Sequence, residues 1–360
     1  MEIVDLLREM VDKKVSDLHL RAGSPPIFRI DGRLVRSSYP VLSSRDTERI
    51  SLSLLNEKQK QIFKENHECD LSYAIEGLAR FRINVFLQRG TIHVVFRPVP
   101  FEVPDFDELN LPLVLKKISE NERGLVLVTG PTGCGKSTTL AAIVDYINST
   151  RSVHTITIED PIEFLHRDKK SIVSQRELGK DTLDYPAALK HIVRQDPNVI
   201  LVGEMRDLAT MAAALTAAQL GSLVLSTVHT IDAIQTVTRI VDLFPPYQQN
   251  QVRLQLADTL KAVISQRLLP RADGKGRVPA VEVLVVTALV KKLIEENRMG
   301  EILGSMEKGD YYGMQTFNQA LQKLYSKGLV KLEDALASAS NPEELLLYIR
   351  GIDSGSGAKG

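Results

Sequence analysis

Apolar residues recur along the chain with two different periods, and the places where one gives way to the other mark its elements. Ile3, Val4, Leu7 and Val11 stand at helical spacing and predict a helix over residues 3–13. The pattern switches to alternation at Ser16-Asp17-Leu18-His19-Leu20, a half-buried strand in which Asp17 and His19 share one face, as ligands or as hydrogen-bonded surface groups. Residues 28–34 read as a hairpin, because Asp31-Gly32 between alternating residues favours a type I′ turn. A helix is expected over 44–65 and a strand over 70–75. Two longer strands, 79–85 and 91–97, alternate apolar residues with Arg80, Arg82, His93 and Arg97. Arg80 and Arg82 lie on one strand face, either an anion-facing stripe or a solvated outer surface.

Pro98, Pro100 and Pro104, with acidic residues among them, then interrupt regular structure. The expected division is a small α/β domain over 1–98, a connector over 99–112, a second domain over 113–353 and a small, polar tail over 354–360. From Leu125 onward, short apolar runs alternate with helical patterns. Strands are expected at 125–129, 154–158, 199–202 and 223–227, and helices at 136–148, 185–194, 208–219 and 232–241. That alternation predicts a parallel sheet covered by helices on both faces, with functional residues at the carboxyl ends of its strands. Beyond Asp242 the chain reads as a helix over 248–268, a short strand over 280–286, and helices over 288–297, 314–327 and 332–340.

At 360 residues the chain is long enough for two or three domains. Lys and Arg number 45 and Asp and Glu also 45, so the basic excess of a nucleic-acid binder is absent from the chain as a whole. The two cysteines, Cys69 and Cys134, are too few and too far apart to suggest a disulfide framework or a metal cluster. No apolar stretch approaches the ~20 residues that cross a bilayer, and the amino terminus lacks a basic leader, so the expectation is a cytoplasmic protein.

Chemistry concentrates at the predicted strand ends. After the first strand come Gly130, Pro131, Thr132, Gly133, Cys134, Gly135, Lys136, Ser137 and Thr138, the spacing of a phosphate-binding loop set between a strand and a helix. Backbone N–H groups and the helix N-terminus would hold a phosphate there, Lys136 would reach the β- and γ-phosphates, and Ser137 would offer a hydroxyl to Mg²⁺. The second strand is followed by Glu159-Asp160-Pro161-Ile162-Glu163, three carboxylates within five residues. The third runs into Gly203-Glu204-Met205-Arg206-Asp207, where Glu204 is suited to orienting an attacking water and Asp207 to capping the next helix. The fourth ends in Val228-His229-Thr230, where His229 is either a γ-phosphate sensor or a structural histidine.

These four stretches, Gly130 to Thr139, Ile156 to Phe164, Val199 to Asp207 and Ser226 to Ala233, resemble the Walker A, Asp-box, Walker B and His-box motifs of the secretion ATPases of type IV pili and type II secretion. The resemblance extends to Ser16-Asp17-Leu18-His19-Leu20, Arg80-Phe81-Arg82-Ile83-Asn84 and the proline-rich connector. It is nearest to the pilus-retraction branch: the chain begins directly with the smaller domain, has no cysteine after Cys134 that could build the zinc element of the other branches, and carries Gly313-Met314-Gln315-Thr316-Phe317. It departs at Leu289-Val290-Lys291-Lys292-Leu293-Ile294-Glu295-Glu296, where the branch has a basic residue and this chain an acidic one.

The resemblance implies an α/β fold: a RecA-like P-loop NTPase core with a smaller N-terminal α/β (PAS-like) domain and a helical C-terminal region. It implies a homohexameric motor that hydrolyses ATP to ADP with Mg²⁺ to drive pilus retraction and twitching motility. The motor would act peripherally at the inner face of the cytoplasmic membrane on a pilus platform protein, without nucleic acid. Glu163 would act on the metal, Glu204 on the attacking water and His229 on the γ-phosphate. Arg82 and Arg97 would be arginine fingers, a role worth ~10³ to 10⁵ in rate in related reactions. The alternatives are a pilus-extension or type II secretion ATPase of the same superfamily, a nucleotide-regulated scaffold that does not hydrolyse, and a RecA-like DNA translocase.

Overall fold

The computed structural model describes residues 3–30, 32–100 and 102–351. Its contacts form two units, one of Met1–Glu102 with Glu163–Leu165 and one of Val103–Ile162 with His166–Gly360.

The smaller unit contains α1 (Ile3–Asp12), β1 (Asp17–Arg21), β2 (Ile27–Ile30), β3 (Arg33–Arg36), α2 (Ser44–Leu54), α3 (Glu57–Asn66), β4 (Glu68–Ile75), β5 (Ala79–Gln88) and β6 (Thr91–Val99). Its antiparallel sheet has the order β3-β2-β1-β6-β5-β4. Alternation puts Leu18, Leu20, Phe81, Ile83, Val85, Val94 and Phe96 into a core with Leu6, Leu7 and Met10 of α1 and Ile50 and Leu54 of α2. The residues between them, including Arg82, Asn84, His93 and Arg97, stand on the opposite face.

Two expectations are corrected here. The helix expected over 44–65 is two helices, because Asn56 starts α3 with its own capping box and breaks the continuity after Leu54. Pro98 does not end regular structure: it stands opposite Phe81, and β6 continues through it to Val99, opposite Arg80. The pairing of β6 with β1 runs only from His93 to Phe96, so at Pro98 one side of the strand is open, the edge-like setting in which a strand tolerates proline. Strands β2 and β3 pair at Ile30 and Arg33 as the hairpin requires; the expected turn type involves Asp31, which lies outside the described residues, as does the tail over 354–360.

The larger unit runs α4 (Val114–Ser119), β7 (Gly124–Thr129), α5 (Lys136–Thr150), β8 (His154–Glu159), β9 (Ile172–Glu177), α6 (Tyr185–Ile192), β10 (Val199–Val202), α7 (Leu208–Gln219), β11 (Leu223–Val228), α8 (Ala233–Asp242), α9 (Pro246–Thr259), β12 (Leu260–Pro270), β13 (Arg277–Val285), α10 (Ala288–Glu295), α11 (Ile302–Glu307), α12 (Phe317–Ser326), α13 (Leu332–Ala337) and α14 (Pro342–Ile349). The sheet order is β13-β12-β7-β11-β10-β8-β9. Leu125, Leu127, Ile200, Val202 and Val263 face one apolar layer, with α6 to α11; Val126, Val128, Leu201, Leu225 and Ile264 face the other, with α4 and α5. Phe106 and Leu111, in the stretch expected to be a connector, are buried in this second layer.

The sheet is not wholly parallel, because β13 folds back antiparallel on β12 at one edge. The helix expected over 248–268 ends at Thr259, and Leu260–Pro270 forms β12 instead, parallel to β7. An apolar run of that length fits either element by period, and the open side of β7 decides it. A third core, of Leu269, Val278, Phe317, Leu321 and Leu345, joins the ends of β12 and β13 to α12 and α14. Among the described residues no helix is long and apolar enough to cross a membrane.

Candidate functional site

The sheet order brings the carboxyl ends of β7, β11, β10 and β8 side by side, so residues scattered over about a hundred positions of sequence meet along one rim. The phosphate loop leaves β7 at Gly130, whose φ is 139°. A Cβ there would lie 2.5 Å from the Gln266 carbonyl oxygen and 2.6 Å from Cys134 Sγ, so only glycine fits. Lys136 opens α5 and is 9% exposed; its Nζ donates to the carbonyls of Gly130 at 2.8 Å and Pro131 at 3.0 Å. Pro131, Thr132 and Gly133 are exposed, Gly135 and Thr138 half-buried. Ser137 is exposed and its hydroxyl forms no hydrogen bond among the described residues, which leaves it free for a metal. Cys134 is buried, and desolvation holds its thiol above the ordinary range, so it is a packing residue.

Gly203 continues the β10 ladder by donating its N–H to the Ile158 carbonyl at 2.8 Å, and Thr227 Oγ1 donates to its carbonyl at 2.7 Å. The Met205 N–H donates to the Thr227 carbonyl at 3.0 Å, so the peptide carrying Glu204 is fixed on both sides. Glu204 Oε2 stands 3.4 Å from His229 Nε2 and Oε1 2.6 Å from Arg206 Nε. The two residues singled out on separate strands are thus partners. Asp207 is the cap expected of it: its carboxylate accepts the Thr210 N–H at 2.9 Å, and that bond holds its pKa down.

At the next strand end, Glu159 Oε1 accepts hydrogen bonds from Thr157 Oγ1 at 2.6 Å and Gln175 Nε2 at 3.0 Å. Tyr185, at the start of α6, brings its hydroxyl to where a Cβ on Gly203 would be 2.9 Å away. Burial, then the carboxylates of Glu204, Asp160 and Glu159, raise its pKa and keep the phenol protonated.

Glu163, Arg82 and Arg97 belong by their contacts to the smaller unit. The Leu165 N–H donates to the Pro100 carbonyl at 3.2 Å, and Arg82 NH1 lies 3.3 Å from Glu163 Oε1. Arg97 donates through Nε at 2.9 Å and NH2 at 2.7 Å to Asp17 Oδ1, while Arg29 Nε lies 3.5 Å from Oδ2. Burial is the largest single influence and works against the charge on Asp17, but the Arg97 and Ser16 hydrogen bonds and the Arg97 charge together outweigh it and hold its pKa below the usual value. Each candidate arginine finger therefore has a carboxylate partner, and Asp17 is a hydrogen-bonded anchor on its strand face.

Sequence reasoning missed three participants. Arg206 was present in the motif but without a role. Gln266, 1% exposed, donates from Nε2 to Thr139 Oγ1 at 2.7 Å and lies against the phosphate loop from a strand that was read as helix. Glu282, 5% exposed, lies within an apolar run, and that burial of a carboxylate is the signal that could have exposed it.

No group of three or more His, Cys, Asp or Glu residues forms a metal cage among the described residues. A free Ser137 hydroxyl beside a phosphate cradle instead suits Mg²⁺, which is commonly held by few protein ligands and by substrate phosphates.

The chain matches the profile of the type II/IV secretion system protein family over residues 3–337. It is 45% identical to the type IV pilus retraction ATPase PilT of Pseudomonas aeruginosa over 95% of this chain and 99% of that protein. It is 43% identical to the type IV pilus ATPase PilU of the same organism, over 97% and 92%. A solved structure of the pilus retraction motor PilT with bound ADP superposes with a TM-score of 0.88 at 47% identity, covering 96% of this chain and 98% of that one. The chain belongs to the type II/IV secretion system protein family, as a PilT-like ATPase with a RecA-like core.

Proposed function

We propose that this chain binds Mg·ATP at residues 130–138 and hydrolyses it as a motor of pilus retraction. The observation that carries the reading is the Glu204–His229 pair, 3.4 Å apart on adjacent strand ends beside the phosphate loop. Backbone N–H groups of Gly133, Cys134 and Gly135 cradle the phosphates, and Lys136 exchanges the Gly130 and Pro131 carbonyls for them. Ser137 and, through water, Glu163 would hold Mg²⁺, and the bound ion would supply positive charge to the phosphate oxygens. Glu204 accepts the proton of the attacking water, and His229 orients that carboxylate and senses the γ-phosphate. Arg82 and Arg97, once released from Glu163 and Asp17, act on the γ-phosphate of their own or a neighbouring chain. Losing that phosphate removes the group these side chains read, so ATP and ADP favour different conformations, as a motor requires.

The retraction role is supported by the 45% identity to PilT over nearly the whole of both chains. In this reading the motor is a homohexamer, peripheral to the inner face of the cytoplasmic membrane and engaged with a platform protein. A second reading, a pilus ATPase with a modified role, is favoured by the 43% identity to PilU and by Glu295 at the end of α10, where the branch has a basic residue and where Lys291 pairs with Glu295 at 3.8 Å. The biochemical test is Glu204→Gln, which should lower steady-state ATP turnover by about 10² to 10⁴ without loss of nucleotide binding. Unchanged turnover would remove Glu204 from the mechanism. In cells, deletion of the gene should leave pili that cannot be pulled back; bald cells would indicate extension, and normal retraction the modified role.

A further inference from the structure

The loop after His229 is fastened residue by residue. The Thr230 and Thr236 hydroxyls share a hydrogen bond at 2.6 Å, the Ile231 N–H donates to Gln235 Oε1 at 3.0 Å, and Asp232 accepts the Gln235 N–H at 2.7 Å. The Ala233 N–H goes further, to Oε1 of Glu282 on β13 at 2.8 Å. Glu282 is buried, where an unpaired charge would be costly, but its carboxylate lies between the first turns of two helices. It is also bonded by the Phe317 N–H at the start of α12. The charged groups facing it are Asp232 from the start of α8, which repels it, and Arg267 from β12, which attracts it. Arg267 in turn covers the Phe317 ring at 3.8 Å and donates to the Ser338 carbonyl at 2.6 Å. Burial dominates this balance and pushes the Glu282 carboxyl up to about 7.

We infer that Glu282 is a positioning residue for His229: by gripping the first turn of α8 it fixes the loop that aims the imidazole at Glu204, and through Phe317 and Arg267 it ties that loop to the C-terminal helices. The inference rests on the role given to His229 above. An ionised carboxylate accepts from both helix starts, whereas a protonated one spends an oxygen on its own O–H and competes poorly for one of them. The grip on the loop therefore weakens as Glu282 takes up a proton. Stability moves the other way. The folded-state pKa lies above the ordinary 4.5, so the favourable contribution of the neutral acid is complete below about pH 4.5 and is lost as pH rises through about 7. Turnover and stability respond to this one residue with opposite signs, which a purely structural carboxylate would not produce.

The test uses the full chain with Mg·ATP and the variants Glu282→Gln, Asp232→Asn and His229→Ala. Glu282→Gln, permanently neutral, should lower kcat about tenfold near pH 8 with KM for ATP changed less than about twofold. The ratio of variant to native kcat should rise towards one near pH 6, where the native carboxyl is itself protonated. Asp232→Asn keeps the helix cap but removes the repelling charge, so the fall in native turnover should move to lower pH. If Glu282→Gln does not fold, that shift alone decides. His229→Ala separates the two levels of argument: unchanged turnover ends the reading of His229, and the inference with it. Slow His229→Ala alongside a Glu282→Gln ratio that is constant with pH, or an Asp232→Asn profile that stays in place, overturns the inference alone.

Discussion

In the larger unit Glu204 and His229 sit on loops that leave the carboxyl ends of adjacent strands, whereas in the smaller unit Arg82 and Arg97 stand on the strands themselves. The difference shows in what holds them. Glu204 is carried by a peptide whose neighbouring amides and carbonyl are bonded to β8 and β11, so its position follows from the sheet. His229 meets it because β10 and β11 are neighbours. Arg82 and Arg97 have backbones fixed by β5 and β6, but where their guanidinium groups lie depends on single carboxylates, Glu163 and Asp17. Backbone-set geometry suits groups that must already be aligned when substrate arrives, and partner-set geometry suits groups that change partners during a cycle.

The largest expected effect breaks this comparison if it fails. Arg82→Ala should lower kcat by about 10³, because an arginine that neutralises transition-state charge is worth at least that much in related enzymes. The same substitution should barely alter thermal stability, since the Arg82 and Glu163 side chains are 42% and 43% exposed and such pairs contribute about 0 to 1 kcal/mol. Calorimetry and single-turnover hydrolysis on one sample decide it. A fall in melting temperature of several degrees with kcat intact would make Arg82 a structural partner of Glu163 and dissolve the contrast.

Asp17 sharpens it from the other side. Its carboxylate is buried and gathers Arg97, Arg29 and Ser16, so Asp17→Ala should cost about 2 kcal/mol of stability. Its pKa in the folded chain is depressed, so the stability it confers is complete above its ordinary value of 3.8 and is lost as pH falls through the folded value. Acid unfolding followed by circular dichroism should show the variant and the native chain converging below about pH 4. Parallel curves down to the most acid samples would mean that Arg97 leaves this carboxylate unperturbed.

How far each region can be read from sequence follows the same division. The strand-end groups are legible because buried parallel strands are short apolar runs with chemistry directly after them; Val199–Val202 and Leu208–Gln219 have the expected bounds, and Glu204 follows from its place between them. Partner-set groups are not, since the carboxylate that holds Arg97 lies 80 residues away and no local pattern links the two. β12 was illegible for a related reason. Leu260–Pro270 follows α9 with no glycine or proline at the junction, and it becomes a strand because β7 offers it an edge, with a register shift between Leu260 and Ala262. Gln266, which this strand buries against the phosphate loop, was hidden with it.

The smallest effect tests the comparison within a single loop, where Glu204 and Asp207 are both acidic and both follow β10. Asp207 accepts the Thr210 N–H at 2.9 Å and its hydroxyl at 2.7 Å, which commits both oxygens to the first turn of α7. Asp207→Ala should therefore cost about 1 kcal/mol in stability, the usual value of a helix cap, and Asp207→Asn much less, because an amide oxygen caps nearly as well. Neither should change kcat at 25 °C, since the lost bond belongs to a helix anchored independently by Met211, Ala214 and Leu215 in the core. If Asp207→Asn instead slows turnover while leaving the melting temperature in place, the charge on Asp207 acts in the reaction. The rule that strand-end geometry separates site residues from caps would then fail at the place where it is easiest to apply.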